Sequence, residues 1–242
     1  MNMLKSRFRT FATALAGIGL ITALTFDARD AHADMAQTDV ALVQQMAEAS
    51  TDKQLEALEI YYALHVSELA VQNMNERRTG AMFAVQRAKA DNSPKGKISA
   101  LEQKAQEVVA ERTAKVEENQ KLRKKLSEIS GLDFAEPLVM APDAPMDMPT
   151  APAGVPADLV AAQKDAWTAL LAAQNAWQEE RLTLLDAQQR YDETRDVPIG
   201  DHLRAMTLAE TAYAKAIGAC RLIEAKIAAA QGKSLAEVLS AL

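Results

Sequence analysis

The chain has 242 residues, 49% apolar and 25% charged, which excludes both a disordered tail and a uniformly apolar membrane protein. A formal net charge of −6 argues against nucleic acid as a partner, and a single cysteine excludes an internal disulfide and any cysteine-based zinc site. With 9 glycines and 8 prolines against a background rich in Ala, Leu, Glu, Gln, Lys and Arg, the composition favours long helices over a turn-rich sandwich or barrel.

Residues 1–33 read as a secretory signal peptide. Lys5, Arg7 and Arg9 supply the positive start, residues 12–26 the apolar stretch, and Ala31-His32-Ala33 an A-x-A cleavage site. The mature chain is therefore expected to start at Asp34 and to reside in the periplasm. No later segment reaches the about 18 consecutive apolar residues of a membrane-spanning helix.

Proline divides the remainder. Six prolines (Pro137, Pro142, Pro145, Pro149, Pro152 and Pro156) fall in one stretch, and Pro94 and Pro198 stand apart. Proline removes a backbone donor and clashes with the preceding helical turn. Four helical arms are thus predicted, over 36–92, 97–130, 157–195 and 200–231. Gly131 and Gly232 stand where the second and fourth arms should end, as C-cap glycines. Leu55, Leu58, Tyr62, His65 and Leu69 in the first arm are spaced by three and four, as are Val116, Asn119, Leu122, Leu126 and Ile129 in the second. Trp167, Leu170, Leu171, Trp177, Leu184 and Leu185 mark the third arm; Tyr213, Ile217, Cys220, Ile223 and Ile227 mark the fourth. This spacing is that of a coiled-coil seam.

The reading is an all-α fold: two long antiparallel helical hairpins, coiled-coil-like, over 34–131 and 158–242, joined by a proline- and methionine-rich linker over 132–157. An offset of 101 residues carries Ile98 onto Ile199, Val116 onto Ile217, Leu122 onto Ile223, Leu126 onto Ile227 and Gly131 onto Gly232. The hairpins therefore read as an internal repeat.

Arg190-Tyr191, then Val197-Pro198-Ile199, then Asp201-x-Leu203-x-Ala205 resembles the hairpin turn of TolC-type outer membrane efflux proteins. Gly96-Lys97-Ile98-Ser99-x-Leu101-Glu102 resembles the same turn in the first hairpin. The helix ends at Leu126-x-x-Ile129-x-Gly131-Leu132 and Ala228-Ala229-Ala230-Gln231-Gly232 are similar to that family's returning helices. The resemblance is to the periplasmic hairpins alone, because no segment alternates in polarity over the about 9–11 residues of a membrane β-strand. It implies hairpins packed side by side as a homo-oligomer, a periplasmic adaptor and an outer-membrane partner. It also implies adaptor-docking turns at Asn92, Ser93, Pro94, Lys95, Gly96 and Lys97, and at Arg195, Asp196, Val197, Pro198, Ile199 and Gly200.

Other side chains take structural readings. His65 and Cys220 sit on apolar seams, His65 without the companions a metal site needs. The linker methionines Met140, Met146 and Met148 suit Cu(I) as thioethers, but no His or Cys completes a set, and no metal is assigned. Lys121-x-Arg123-Lys124-Lys125 reads as a solvated helix face. There is no nucleophile elbow, P-loop, HExxH or glycine-rich nucleotide loop, so neither an enzyme nor a cofactor is expected. The functional expectation is a TolC-like component of an envelope export or efflux system. The alternative is a soluble periplasmic coiled-coil scaffold, chaperone or secretion-apparatus subunit.

Overall fold

Six helices form in the computed structural model, which describes residues 38–134, 138, 144–145, 148, 150–151, 153–194 and 199–242. They are α1 (Asp39–Gln45), α2 (Thr51–Ala90), α3 (Lys95–Ser130), α4 (Ala157–Thr194), α5 (Ile199–Ala230) and α6 (Leu235–Ser240). No strand occurs among the described residues. The proposed signal segment, Met140 and Met146 of the linker, and Arg195, Asp196, Val197 and Pro198 of the second turn lie outside the described residues.

The helix ends have local chemical causes. At the end of α2, Asn92 adopts a left-handed φ of 52°, Ser93 N–H donates to Ala88 O at 2.9 Å, and Asn92 N–H donates to Lys89 O at 3.2 Å. This is a Schellman closure built on asparagine. The end of α5 repeats it with glycine. Gly232 has φ 67°, Lys233 N–H donates to Ala228 O at 2.9 Å, and Gly232 N–H donates to Ala229 O at 3.0 Å. Gly131 ends α3 at φ 73°. Both C-cap glycines expected from the sequence thus end their helices in the left-handed region, Gly131 N–H donating to Ser127 O at 2.9 Å.

The first arm departs from its expected extent. It is broken between α1 and α2, because Ser50 caps α2 by accepting from Lys53 N–H, and Gln54 Nε2 donates back to Met46 O at 2.8 Å. The chain also gains a short last helix, α6, capped by Ser234.

The long helices pair antiparallel. Lys89 meets Glu102 at 2.7 Å near the first turn, Arg77 meets Glu111 at 3.0 Å further along, and Lys125 meets Glu56 at 3.5 Å toward the far end. As residue numbers fall along α2 they rise along α3. In the second pair Trp177 stacks on Tyr213 with centroids 5.4 Å apart, and Gln163 Nε2 donates to Glu224 at 2.6 Å.

The two pairs join through α2 and α5, so neighbouring helices run in the order α3, α2, α5, α4. Asn73 Nδ2 donates to Thr207 O and to Thr211 Oγ1, each at 3.3 Å. Nearer the other end, Gly218 lets the two helices close in, since a Cβ there would sit 2.8 Å from Tyr62 Cβ. The inner position of α2 explains why its burial exceeds one seam. Ala57, Leu58, Ile60, Tyr61, Tyr62 and Leu64 are all buried, although Ile60, Tyr61 and Leu64 lie off the stripe expected from spacing.

The main core gathers at the end remote from the turns. Leu42, Leu58, Tyr61, Leu64, Leu126 and Leu239 are closed off there by α1, α6 and residue Phe134. A smaller cluster of Trp167, Leu170, Ala216, Ile217 and Cys220 lies inside the second pair. Burial pushes the Cys220 thiol up to about 11, in keeping with a packed, unreactive side chain.

Described residues of the linker pack on the helices. Phe134 is buried in the main core, Leu138 packs against it, and Ala144 packs on the smaller cluster. Apolar side chains before and between the prolines anchor these points.

Candidate functional site

Among the described residues, the turns, a buried ionic junction and a cavity between the hairpins bear on function. The first turn is preorganised by its own backbone. Beyond the Asn92 closure, Lys97 and Ile98 N–H both donate to Pro94 O, at 2.9 and 3.2 Å, so proline opens α3 without a side-chain cap. Asn92, Pro94, Lys95, Gly96 and Lys97 are exposed, and Ser93 is half-buried. Of the second turn, Ile199 opens α5 and Gly200 is exposed.

The register between α2 and α5 sets the first turn and the start of α5 toward one end. Tyr62 faces Gly218, and Asn73 faces Thr207 and Thr211. Continued, this register puts Gly200 level with the region around Gly80. The last turns of α2 and the first turn then project beyond the start of α5 by about ten residues, roughly 15 Å.

The ionic junction lies at the opposite end. Asp39 is 3% exposed and Arg221 4%. Asp39 Oδ2 accepts from Arg221 Nε at 2.5 Å and from Tyr62 O–H at 2.7 Å, and Asp39 Oδ1 accepts from Val40 N–H at 2.8 Å. Arg221 also donates to Leu239 O at 2.9 Å. One carboxylate and one guanidinium thus tie α1, α2, α5 and α6. Burial, reinforced by the Asp39 charge, pushes the Tyr62 hydroxyl well above its usual range. Every group is satisfied inside the protein, which marks a structural junction rather than a reactive centre.

The cavity has a volume of about 570 Å³ and is lined from all four long helices and the linker. From α2 come His65, Glu68, Leu69 and Gln72; from α3 Asn119 and Arg123; from α4 Trp177; from α5 Glu210, Tyr213 and Ile217. Leu138 of the linker closes one side. Arg123 is turned inward, against the solvated face expected for its basic run. It pairs with Glu68, donates to Asn119 Oδ1 at 2.8 Å and donates to Phe134 O. Leu138 N–H donates to Glu68 at 2.7 Å. Its neighbours in sequence keep the expected exposure, Lys124 near Glu128 and Lys125 near Glu56.

Despite Arg123, burial pushes the Glu68 carboxyl up to about 7. Burial also raises Glu210, with the charge of Glu76 adding to it, and lowers His65, which favours neutral imidazole. Among the described residues, His65 Nδ1, Asn119 Nδ2 and Trp177 Nε1, on residues that line the cavity, are sealed from solvent and without a partner. Among the described residues no group of three or more His, Cys, Asp or Glu gathers as a metal site would need. Met148 of the linker is exposed.

Sequence reasoning placed Asn119 on an apolar seam without giving it a role. The signal was available: the 101-residue offset sets Asn119 against Cys220, so a polar group stands where the offset position is apolar. Glu68 and Arg123 are 55 residues apart and carry no local signature. No protein-family model matches the sequence, and comparisons with curated proteins and with solved structures return no match.

Proposed function

We propose that the chain acts by assembly rather than catalysis, as a TolC-like component of an envelope export or efflux system. Its hairpins pack laterally as a homo-oligomer, and its turns dock a periplasmic adaptor. The observation that supports this reading is the neighbour order α3, α2, α5, α4. It leaves α3 and α4 each with one helical neighbour, and it carries apolar side chains outward on them: Val109 on α3, and Leu171, Leu182 and Leu185 on α4. A row with open flanks can be extended by further copies, whereas a closed bundle cannot. The ordered Asn92–Pro94 turn offers a docking surface at low entropic cost.

Envelope fractionation of the mature protein in its own host, followed by an alkaline carbonate wash, tests the reading. Retention with the outer membrane, as an oligomer by light scattering after extraction, is expected. Complete release by osmotic shock as a monomer would overturn it and leave the soluble periplasmic scaffold or chaperone.

A further inference from the structure

A second hollow, separate from the cavity described above, is a groove long enough for three turns of helix. Its volume is about 480 Å³, and it runs along α2 from Glu59 to Ala70 and along α5 from Thr211 to Leu222, with α3 as the outer wall. Either span is about 17 Å at 1.5 Å per residue. Ala63, Val66 and Ala70 of α2 form the floor, and Leu122 of α3 and Leu222 of α5 add apolar wall.

The same chain carries a helix side that fits such a groove. Leu171, Leu182 and Leu185 of α4 are 53%, 67% and 53% exposed. Leu171 and Leu182 are close to three full turns apart, so they share one side of α4 at about 17 Å, with Leu185 about one turn further on. Leu170 and Leu184, which are buried, each precede a leucine of the stripe by one residue and so stand about 100° around the helix from it. Packing within the chain therefore leaves the stripe open, and no residue of α4 lines the groove. Charge agrees with shape. Glu179 lies between Leu171 and Leu182 beside the stripe, and Lys215 stands on the α5 wall of the groove. Both are exposed, and neither has an ion pair among the described residues, whereas Lys115 on the opposite wall is already paired with Glu118 at 2.7 Å.

We propose that α4 of a second copy of this chain lies in the groove, with Leu171 and Leu182 on its floor and Glu179 against Lys215. A helix laid in a groove by leucines three turns apart is a common mode of recognition. The contact rests on the homo-oligomeric reading above and names its interface. Each copy offers one stripe and one groove in different places, so the contact is head-to-tail, and a chain of copies keeps a free stripe at one end and a free groove at the other.

Sedimentation velocity on the mature chain tests this, with substitutions confined to exposed side chains and helicity checked for each variant. The unsubstituted protein should associate beyond a dimer as concentration rises. A stripe variant, Leu171→Glu with Leu182→Glu, and a groove variant, Ala63→Glu with Ala219→Glu, should each associate at least tenfold more weakly. Mixed in equal amounts they should form a one-to-one heterodimer, because the mixture retains one intact stripe and one intact groove. Lys215→Glu and Glu179→Lys should each weaken association, and the two together should restore it. Phe83→Ser, at an equally exposed apolar position outside both surfaces, should change nothing. Self-association that survives in both double variants would overturn this interface while leaving the homo-oligomer standing. A parent protein that stays monomeric at every concentration would remove the homo-oligomer as well. Absence of the heterodimer, or a charge swap that restores nothing, would overturn the seating of α4 in the groove.

Discussion

The two ends of the helical row solve the same packing problem differently. At the end remote from the turns, α1, α6 and the start of the linker lie over the long helices, and Leu42, Leu58, Leu64 and Leu126 reach zero exposure. Toward the turns no other described element covers the row, and Phe83 is 65% exposed, Leu182 67% and Leu208 63%. The residue types are the same. What differs is a second layer, for a helix in a single row can bury its flanks but not its faces. The covered end therefore holds the global stability, and the turn end is where local opening should begin.

The sharpest way to break that contrast is to open the covered end at its ionic junction. Asp39→Asn leaves the Arg221 charge buried without its counter-ion, and such a loss costs about 3–5 kcal/mol. Chemical denaturation should show a midpoint fall large enough to threaten folding. A fall below about 1 kcal/mol would mean that Arg221 finds water or another acceptor. Next in size is a pair of leucines. Leu64→Ala, at zero exposure, should cost about 2–5 kcal/mol in any state, whereas Leu182→Ala should stay within about 0.5 kcal/mol in the isolated chain. Comparable losses at both would show that the turn end is covered in solution, as lateral assembly requires.

A smaller effect tests the middle of the row, where the cavity lies. The Glu68 carboxyl sits at about 7 in the folded chain against 4.5 as a free side chain. Between those values the folded protein holds a proton that the unfolded chain has lost. Stability should therefore fall as pH rises from 4.5 to 7, with a slope of at most about 1.4 kcal/mol per pH unit from this one group. Glu68→Gln should flatten the slope without abolishing it, since Glu210 and Glu224 are shifted the same way. His65, whose shift is downward, acts in the opposite sense below its ordinary 6.5. A pH profile identical in the variant and the parent would remove Glu68 from the account.

How much of this could be read from the chain depends on range. Gly131, Gly232 and Pro94 announced their helix ends because caps and breaks are local chemistry. The four long helices and their pairing follow from the same punctuation. The interruption at Ser50 was equally local, with Ser50-Thr51-Asp52 as its N-cap signal, but the apolar spacing ran through it. Arg221 and Asp39 are 182 residues apart, and only the joining of α2 to α5 brings them together. The cavity has the same origin: its lining comes from all four long helices, of which α3 and α4 do not neighbour each other in the row. Even the apolar stripe of α2 misled, because spacing shows one face and the inner position of α2 buries several.

Two glycines inside helices show that limit most plainly, and they give the finest test of the contrast between the ends. From the sequence both Gly80 and Gly218 look like the same defect, each costing up to about 1 kcal/mol against alanine. Around Gly80 an added Cβ meets nothing within 4 Å; at Gly218 it meets Tyr62 Cβ at 2.8 Å. The backbone of α2 or α5 would have to give way at Gly218, so Gly218→Ala should destabilise by about 1–3 kcal/mol. Gly80→Ala, on an exposed face near the turns, should instead stabilise by about 0.5–1 kcal/mol through the lost freedom of the unfolded chain. Thermal melts of the two variants should move in opposite directions. A loss at Gly80 as well would mean that another surface approaches that face closely in solution, and the uncovered end would then be uncovered only in the isolated chain.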